Sequence, residues 1–151
     1  MISKYRNLRI LRLSLAFAAG FISVPLFHQG MLAFLNQIDF TQFAPYPTDP
    51  TQPFGIAAIW SMSFWGGVWG IVLGAIAFRL GNRSYWLTAL LFGAFAPTSV
   101  FLFLVLPLKG MPVAGGWQLS LIATGILVNA AWGLGTVLIL RSIALAVNSS
   151  R

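Results

Sequence analysis

The chain has 151 residues, of which 58% are hydrophobic and 15% aromatic, while only 7% are charged, against roughly 25% in soluble domains. Nine Lys and Arg face two acids, Asp39 and Asp49, but these cations bracket apolar runs and form no groove-sized patch, so the charge of +7 reads as a topology signal and nucleic acid is not an expected partner. The absence of cysteine excludes structural disulfides, thiolate metal sites and thiol redox chemistry.

Four stretches approach the roughly 20 apolar residues needed to cross about 30 Å of hydrocarbon: 13–35, 55–78, 85–106 and 117–140, none of which contains a charged residue. Lipid offers no partner to an open backbone, so each stretch is expected to be helical apart from kinks that neighbours cover. The predicted fold is all-α: one integral membrane domain over 1–151, a four-helix bundle whose first partner is the lipid bilayer. Outer loops are expected at 36–54 and 107–116, and an inner loop at 79–84.

Lys4, Arg6, Arg9 and Arg12 precede the first helix, Arg79 and Arg83 fill the inner loop, and Arg141 and Arg151 follow the fourth helix. Lys109 and both aspartates fall on the other side. The positive-inside rule therefore predicts both termini in the cytoplasm, with Trp86 and Trp117 in the two aromatic belts. The "AFA" at 16–18 is superficially a secretory cleavage site, but it comes too soon after Arg12 for a signal-peptide core, and the apolar run continues beyond it.

The first helix carries the only histidine, His28, beside Gln29. The next loop, "NQIDFTQFAPYPTDPTQPF", holds four prolines and is expected to be extended or turn-rich and ordered across the mouth of the bundle. Helix two bears Gly66, Gly70 and Gly74, a double G-x-x-x-G stripe, and helix four offers Gly133 within a more ragged set. Such faces pack helices closely, either within one bundle or in a homo-oligomer. The second outer loop, "PLKGMPVAGG", should return the chain tightly to helix four.

Counted at 1.5 Å per residue from the outer ends, Ser61, Ser63, Thr98, Ser99 and Thr124 fall within roughly 9–12 Å, close to the depth of His28, and Asn129 lies roughly 18 Å in. Two readings stay open: hydrogen-bond glue between helices, or the lining of an outward-facing pocket in which His28 meets the polar end of a ligand. Pro25 and Pro97 each deprive a carbonyl four residues earlier of its donor, and kinks there would splay the outer halves of helices one and three. Trp65 and Trp69, one turn apart, together with Trp132, either fill the core against glycines or flank an apolar ring such as a quinone, carotenoid or porphyrin. The sequence specifies no cofactor.

Gly20 and Pro25 match Gly93 and Pro97, and "WGIVLGAIAFR" from 69 matches "WGLGTVLILR" from 132. The pattern fits a duplicated two-helix hairpin in parallel arrangement, with chance similarity of glycine-rich segments as the alternative. A lone histidine without cysteine or an intramembrane acid cannot supply the three or four ligands of a metal site, and bis-histidine haem would need a second chain. Small multidrug-resistance transporters use a membrane-embedded glutamate that these helices lack, and the motifs of small fluoride channels do not map onto this chain.

The set "FHQG" at 27–30, "PFG" at 53–55, "FWGGVWG" at 64–70, "LKGMPVAGGW" at 108–117 and "AAWGLG" at 130–135 resembles that of a group of small bacterial inner-membrane proteins of unassigned function. The resemblance implies a four-helix membrane protein and supplies no reaction or catalytic residue; the N-in and C-in orientation comes from the cations. The expected function is a non-enzymatic accessory or ligand-binding subunit of a larger membrane complex. The alternatives are a small oligomeric transporter or channel for a neutral or weakly acidic solute, and an enzyme acting on lipid or quinone with His28 as general base.

Overall fold

The computed structural model describes residues 2–149, with side chains from 6 to 146. Two of the cations assigned to the basic side fall outside this: Arg151 altogether, and Lys4 in its side chain. Four helices are long and apolar enough to cross a membrane: α1 (Arg6–Gln37), α2 (Ala58–Ala77), α3 (Asn82–Leu108) and α4 (Leu119–Ala146). Three of them outrun the apolar stretches that announce them. Leu and Arg are good helix formers, so the "RNLRILRL" segment continues the first helix back to Ile2, and the last runs past Arg141 to Ser149. Charge bounds the apolar run, not the helix.

α2 begins later than its apolar run, for a local reason. Gly55, at φ +67°, turns the chain between two short strands, β1 (Pro50–Thr51) and β2 (Ile56–Ala57), which pair antiparallel. The first N–H groups of α2 then find loop acceptors: Ala58 N donates to Asp49 O and Ile59 N to Pro47 O, both at 2.9 Å.

The helices run up and down, with α1 packed mainly on α2, α3 mainly on α4, and α1 lying along α4. One end of the bundle carries Arg6, Arg9, Arg12, Arg79, Arg83 and Arg141; the other carries the loops with Asp39, Asp49 and Lys109. The two tight crossings are built alike. A Cβ on Gly20 would strike Gly66 O and lie 2.8 Å from Gly70 Cα, while one on Gly70 would lie 2.5 Å from Ala16 O. In the other pair, a Cβ on Gly93 would lie 2.6 Å from Asn129 O and 2.9 Å from Gly133 Cα, and one on Gly133 would strike Ala89 O. Gly74 completes the α2 stripe, where a Cβ would come within 2.6 Å of Ala16 Cβ. Backbones this close leave no space for a side chain at the crossing.

Both odd-numbered helices contain a π turn, Val24–His28 in α1 and Phe101–Val105 in α3. Pro25 has no N–H for the carbonyl of Phe21, and the ladder widens so that Gln29 N bonds to Val24 O, five residues back. In α3 the helix stays α through Pro97 and widens just ahead of Pro107, with Leu106 N on Phe101 O. One extra residue per turn rotates the rest of the helix by about 100°, which re-aims Gln29 and the residues beyond it.

The loop between α3 and α4 folds through four successive left-handed residues, Ala114 to Trp117, at φ 52°, 61°, 70° and 64°. Gly115 and Gly116 adopt this without strain, whereas Ala114 and Trp117 each carry a penalty of about 1–2 kcal/mol. Fully buried Ala114 packs with Leu102, Leu106 and Leu121, which offsets part of that cost.

Large apolar side chains cover the outside as well as the core. Leu26, Phe34, Trp60, Trp65, Phe95 and Phe103 are all more than half exposed. Such an exterior fits helices long and apolar enough to cross a membrane.

Candidate functional site

Gln29 is fully buried, and its amide joins two segments of chain. Its Oε1 accepts the N–H of Tyr46 at 2.6 Å, and Tyr46 itself is left-handed at φ 53°. With the amide oxygen held there, Nε2 is the donor that faces His28 Nδ1 at 3.2 Å. The neutral His28 ring therefore accepts at Nδ1 and carries its proton on Nε2. Tyr46 Oη donates to Pro25 O at 3.2 Å, and Asn36 Nδ2 donates to the carbonyls of Thr41 and Phe43. The proline-rich loop is thus latched onto the π turn of α1. Gln29→Leu should free the loop and lower stability by about 1 kcal/mol, the net worth of the part-buried hydrogen bond it removes; limited proteolysis between residues 38 and 57 would show it, and cutting no faster than in the parent chain would refute the latch.

The other polar residues near that depth divide into two sets. Asn129 Nδ2 donates to Thr98 Oγ1, which donates to Gly125 O, both at 3.0 Å, tying α3 to α4. Ser63 and Thr124 donate to carbonyls of their own helices, Ile59 O and Ser120 O. Ser61 is half-buried and Ser99 exposed. Among the described residues no buried side-chain nitrogen or oxygen lacks a partner. Deeper, Trp132 Nε1 donates to Gly20 O at 2.9 Å and Ser23 Oγ to Trp132 O at 2.7 Å, so one tryptophan fastens α4 to the α1–α2 crossing. Trp69 stands edge-on to Phe92 at 5.7 Å, and Trp65 edge-on to Phe64 on the outer surface.

A groove lies elsewhere, on the outward face of α4. It has a volume of about 590 Å³, with Phe27 and Met31 of α1 on one wall and Trp86 and Leu90 of α3 on the other. Leu127, Ala130, Ala131, Leu134, Gly135 and Leu138 of α4 form its floor. None of the residues predicted to bind a ligand lines it, although Phe27 precedes His28 directly. At its basic end the Arg141 guanidinium stands 5.9 Å above the Trp86 ring and bonds to the Asn82 side chain, while Tyr85 Oη donates to Val137 O at 2.9 Å.

Neither family models, curated proteins nor solved structures give a significant match to this chain. The site is therefore read from its own geometry.

Three residues that matter here are not singled out by sequence reasoning. Ser23 and Tyr85 are polar groups within apolar runs, a visible signal, but they lie outside the depth band that draws attention to His28. Tyr46 carries no signal, because its role depends on the backbone N–H meeting Gln29 across the fold.

Proposed function

We propose that the chain is an integral membrane protein, with its basic end and both termini on the cytoplasmic side of a bacterial inner membrane, that acts as a non-enzymatic accessory or ligand-binding subunit. The observation that carries this reading is the separation of polar from open. Among the described residues the buried polar side chains all have hydrogen-bond partners, while the groove on α4 is lined by apolar residues alone. A groove of that composition suits an apolar molecule held among the helices and offers no acid, base or nucleophile. The exposed apolar girdle and the cation asymmetry support insertion and orientation. The matching crossings at Gly20–Gly70 and Gly93–Gly133 support a duplicated hairpin, and the motif resemblance to small four-helix inner-membrane proteins agrees with both.

Gentle extraction from the native membrane, followed by native mass spectrometry and an absorption spectrum, tests the function. A bound apolar molecule or a larger complex is the expected result, unchanged in His28→Ala. A lone colourless chain that moves solute across vesicles, and loses flux in His28→Ala, would replace this reading with the transporter.

A further inference from the structure

We propose that the groove on α4 is a site for one anionic phospholipid, with an acyl chain along the α4 floor and the phosphate on Arg141. This rests on the reading of the groove as a ligand site within a membrane.

The shape argues for a single hydrocarbon chain. Floor residues from Leu127 to Leu138 follow one helical stripe, roughly 16 Å long at 1.5 Å per residue. A volume of about 590 Å³ over that length leaves a cross-section of roughly 37 Å². A second helix, 10–12 Å across with its side chains, is too wide to enter it. Ala130, Ala131 and Gly135 lower the floor between Leu127, Leu134 and Leu138, and Phe27, Met31, Trp86 and Leu90 rise on either side, so the feature is a slot and not a flat face.

The charge argues for an anionic head. The stripe that ends in Leu138 reaches Arg141 less than one turn later, on the same face of α4. Trp86, a wall of the groove, lies under the Arg141 guanidinium, and Asn82 holds it from the side. One of the five guanidinium N–H groups serves Asn82, which leaves a pair for bidentate contact with a phosphate. Both acidic side chains, Asp39 and Asp49, are at the opposite end, so among the described residues no carboxylate neutralises Arg141. A basic pocket between helices at one membrane face is the arrangement that recognises anionic lipid heads.

The test is native mass spectrometry of the full chain in detergent with equal amounts of phosphatidylglycerol and phosphatidylcholine of identical acyl chains. Phosphatidylglycerol should be retained about fivefold over phosphatidylcholine, the factor that one basic side chain contributes towards an anionic lipid. Arg141→Gln should abolish that preference and leave phosphatidylcholine unchanged. Arg12→Gln, which removes a cation resting on Phe78 away from the groove, should keep it. An equal loss in both variants, or no loss in Arg141→Gln, overturns the site. Ala131→Trp fills the floor and should lower retention of both lipids, and Ala130→Leu does so with less bulk if the tryptophan prevents folding. Equal retention of the two lipids that groove filling abolishes overturns the anionic assignment alone. Retention untouched by filling overturns the groove as a ligand site.

Discussion

Gly20→Val and Gly93→Val should each destabilise the bundle by about 3 kcal/mol, at the upper end of overpacking costs. The reason is the same at both crossings. The atom that a new Cβ meets is backbone, Gly66 O and Gly70 Cα in one case, Asn129 O and Gly133 Cα in the other. A side chain can rotate away, but a carbonyl held in a helix can yield only if the whole helix moves. Separating the helices also forfeits dispersion contacts along the full crossing, which in lipid supply much of the association energy. Gly30→Ala is the control, since nothing lies within 4 Å of its added Cβ. It should be neutral or slightly stabilising through helix propensity. Reversible unfolding in mixed detergent, followed by helical circular dichroism, measures all three. Tolerance of Gly93→Val alongside collapse of Gly20→Val would show that the two crossings are not equivalent and remove the main support for a duplicated hairpin.

Trp132→Ala is expected to be as severe, at about 3–5 kcal/mol, the range for emptying a buried aromatic site. Trp132 is 2% exposed, the largest of the fully buried side chains, and it lies where α4 meets the α1–α2 crossing. Its ring fills the space that Gly66 leaves open, with Nε1 3.2 Å from where a Gly66 Cβ would be. Trp132→Phe separates the two contributions. It keeps most of the packing but loses the bond to Gly20 O and part of the indole, so at least about 1 kcal/mol should disappear, less than in the alanine variant. Trp69→Ala should cost clearly less, because Trp69 is half-buried and contacts Phe92 at the looser α2–α3 side. The same unfolding assay ranks the three, and a Trp69→Ala loss equal to that of Trp132→Ala would contradict the asymmetry of the bundle.

Much of the architecture is legible before any coordinate. Charge-free apolar runs of the right length locate all four helices, because the cost of burying a charge in lipid is a property of each residue and leaves its mark directly in the composition. The glycine stripe Gly66, Gly70, Gly74 is equally visible, being a matter of spacing along one helix. Its partners, Ala16 and Gly20, are not, since their own spacing is shared by many small residues that face elsewhere. Helix ends are legible only where backbone geometry coincides with hydropathy. At Gly55 they part, and a short hairpin of two-residue strands delays α2 to Ala58.

The polar residues show the division most clearly. That His28 and Gln29 sit in a greasy helix, and that such groups need partners, is dictated by the chemistry of amide and imidazole in hydrocarbon. That Gln29 takes the N–H of Tyr46, that Thr98 bridges Gly125 and Asn129, and that Trp132 reaches Gly20 O all depend on helix crossings and on a π turn that re-aims one face of α1. The groove is further still from the linear chain. Ala131 and Leu138 share a stripe that any helical wheel displays, but an opening exists there only because Phe27 and Trp86 stand on either side of it. Hydropathy and charge are sums over single residues, and so composition and order decide the class of fold. Hydrogen-bond pairing and cavity shape are properties of helices brought within a few ångströms of one another, and only the packed bundle decides them.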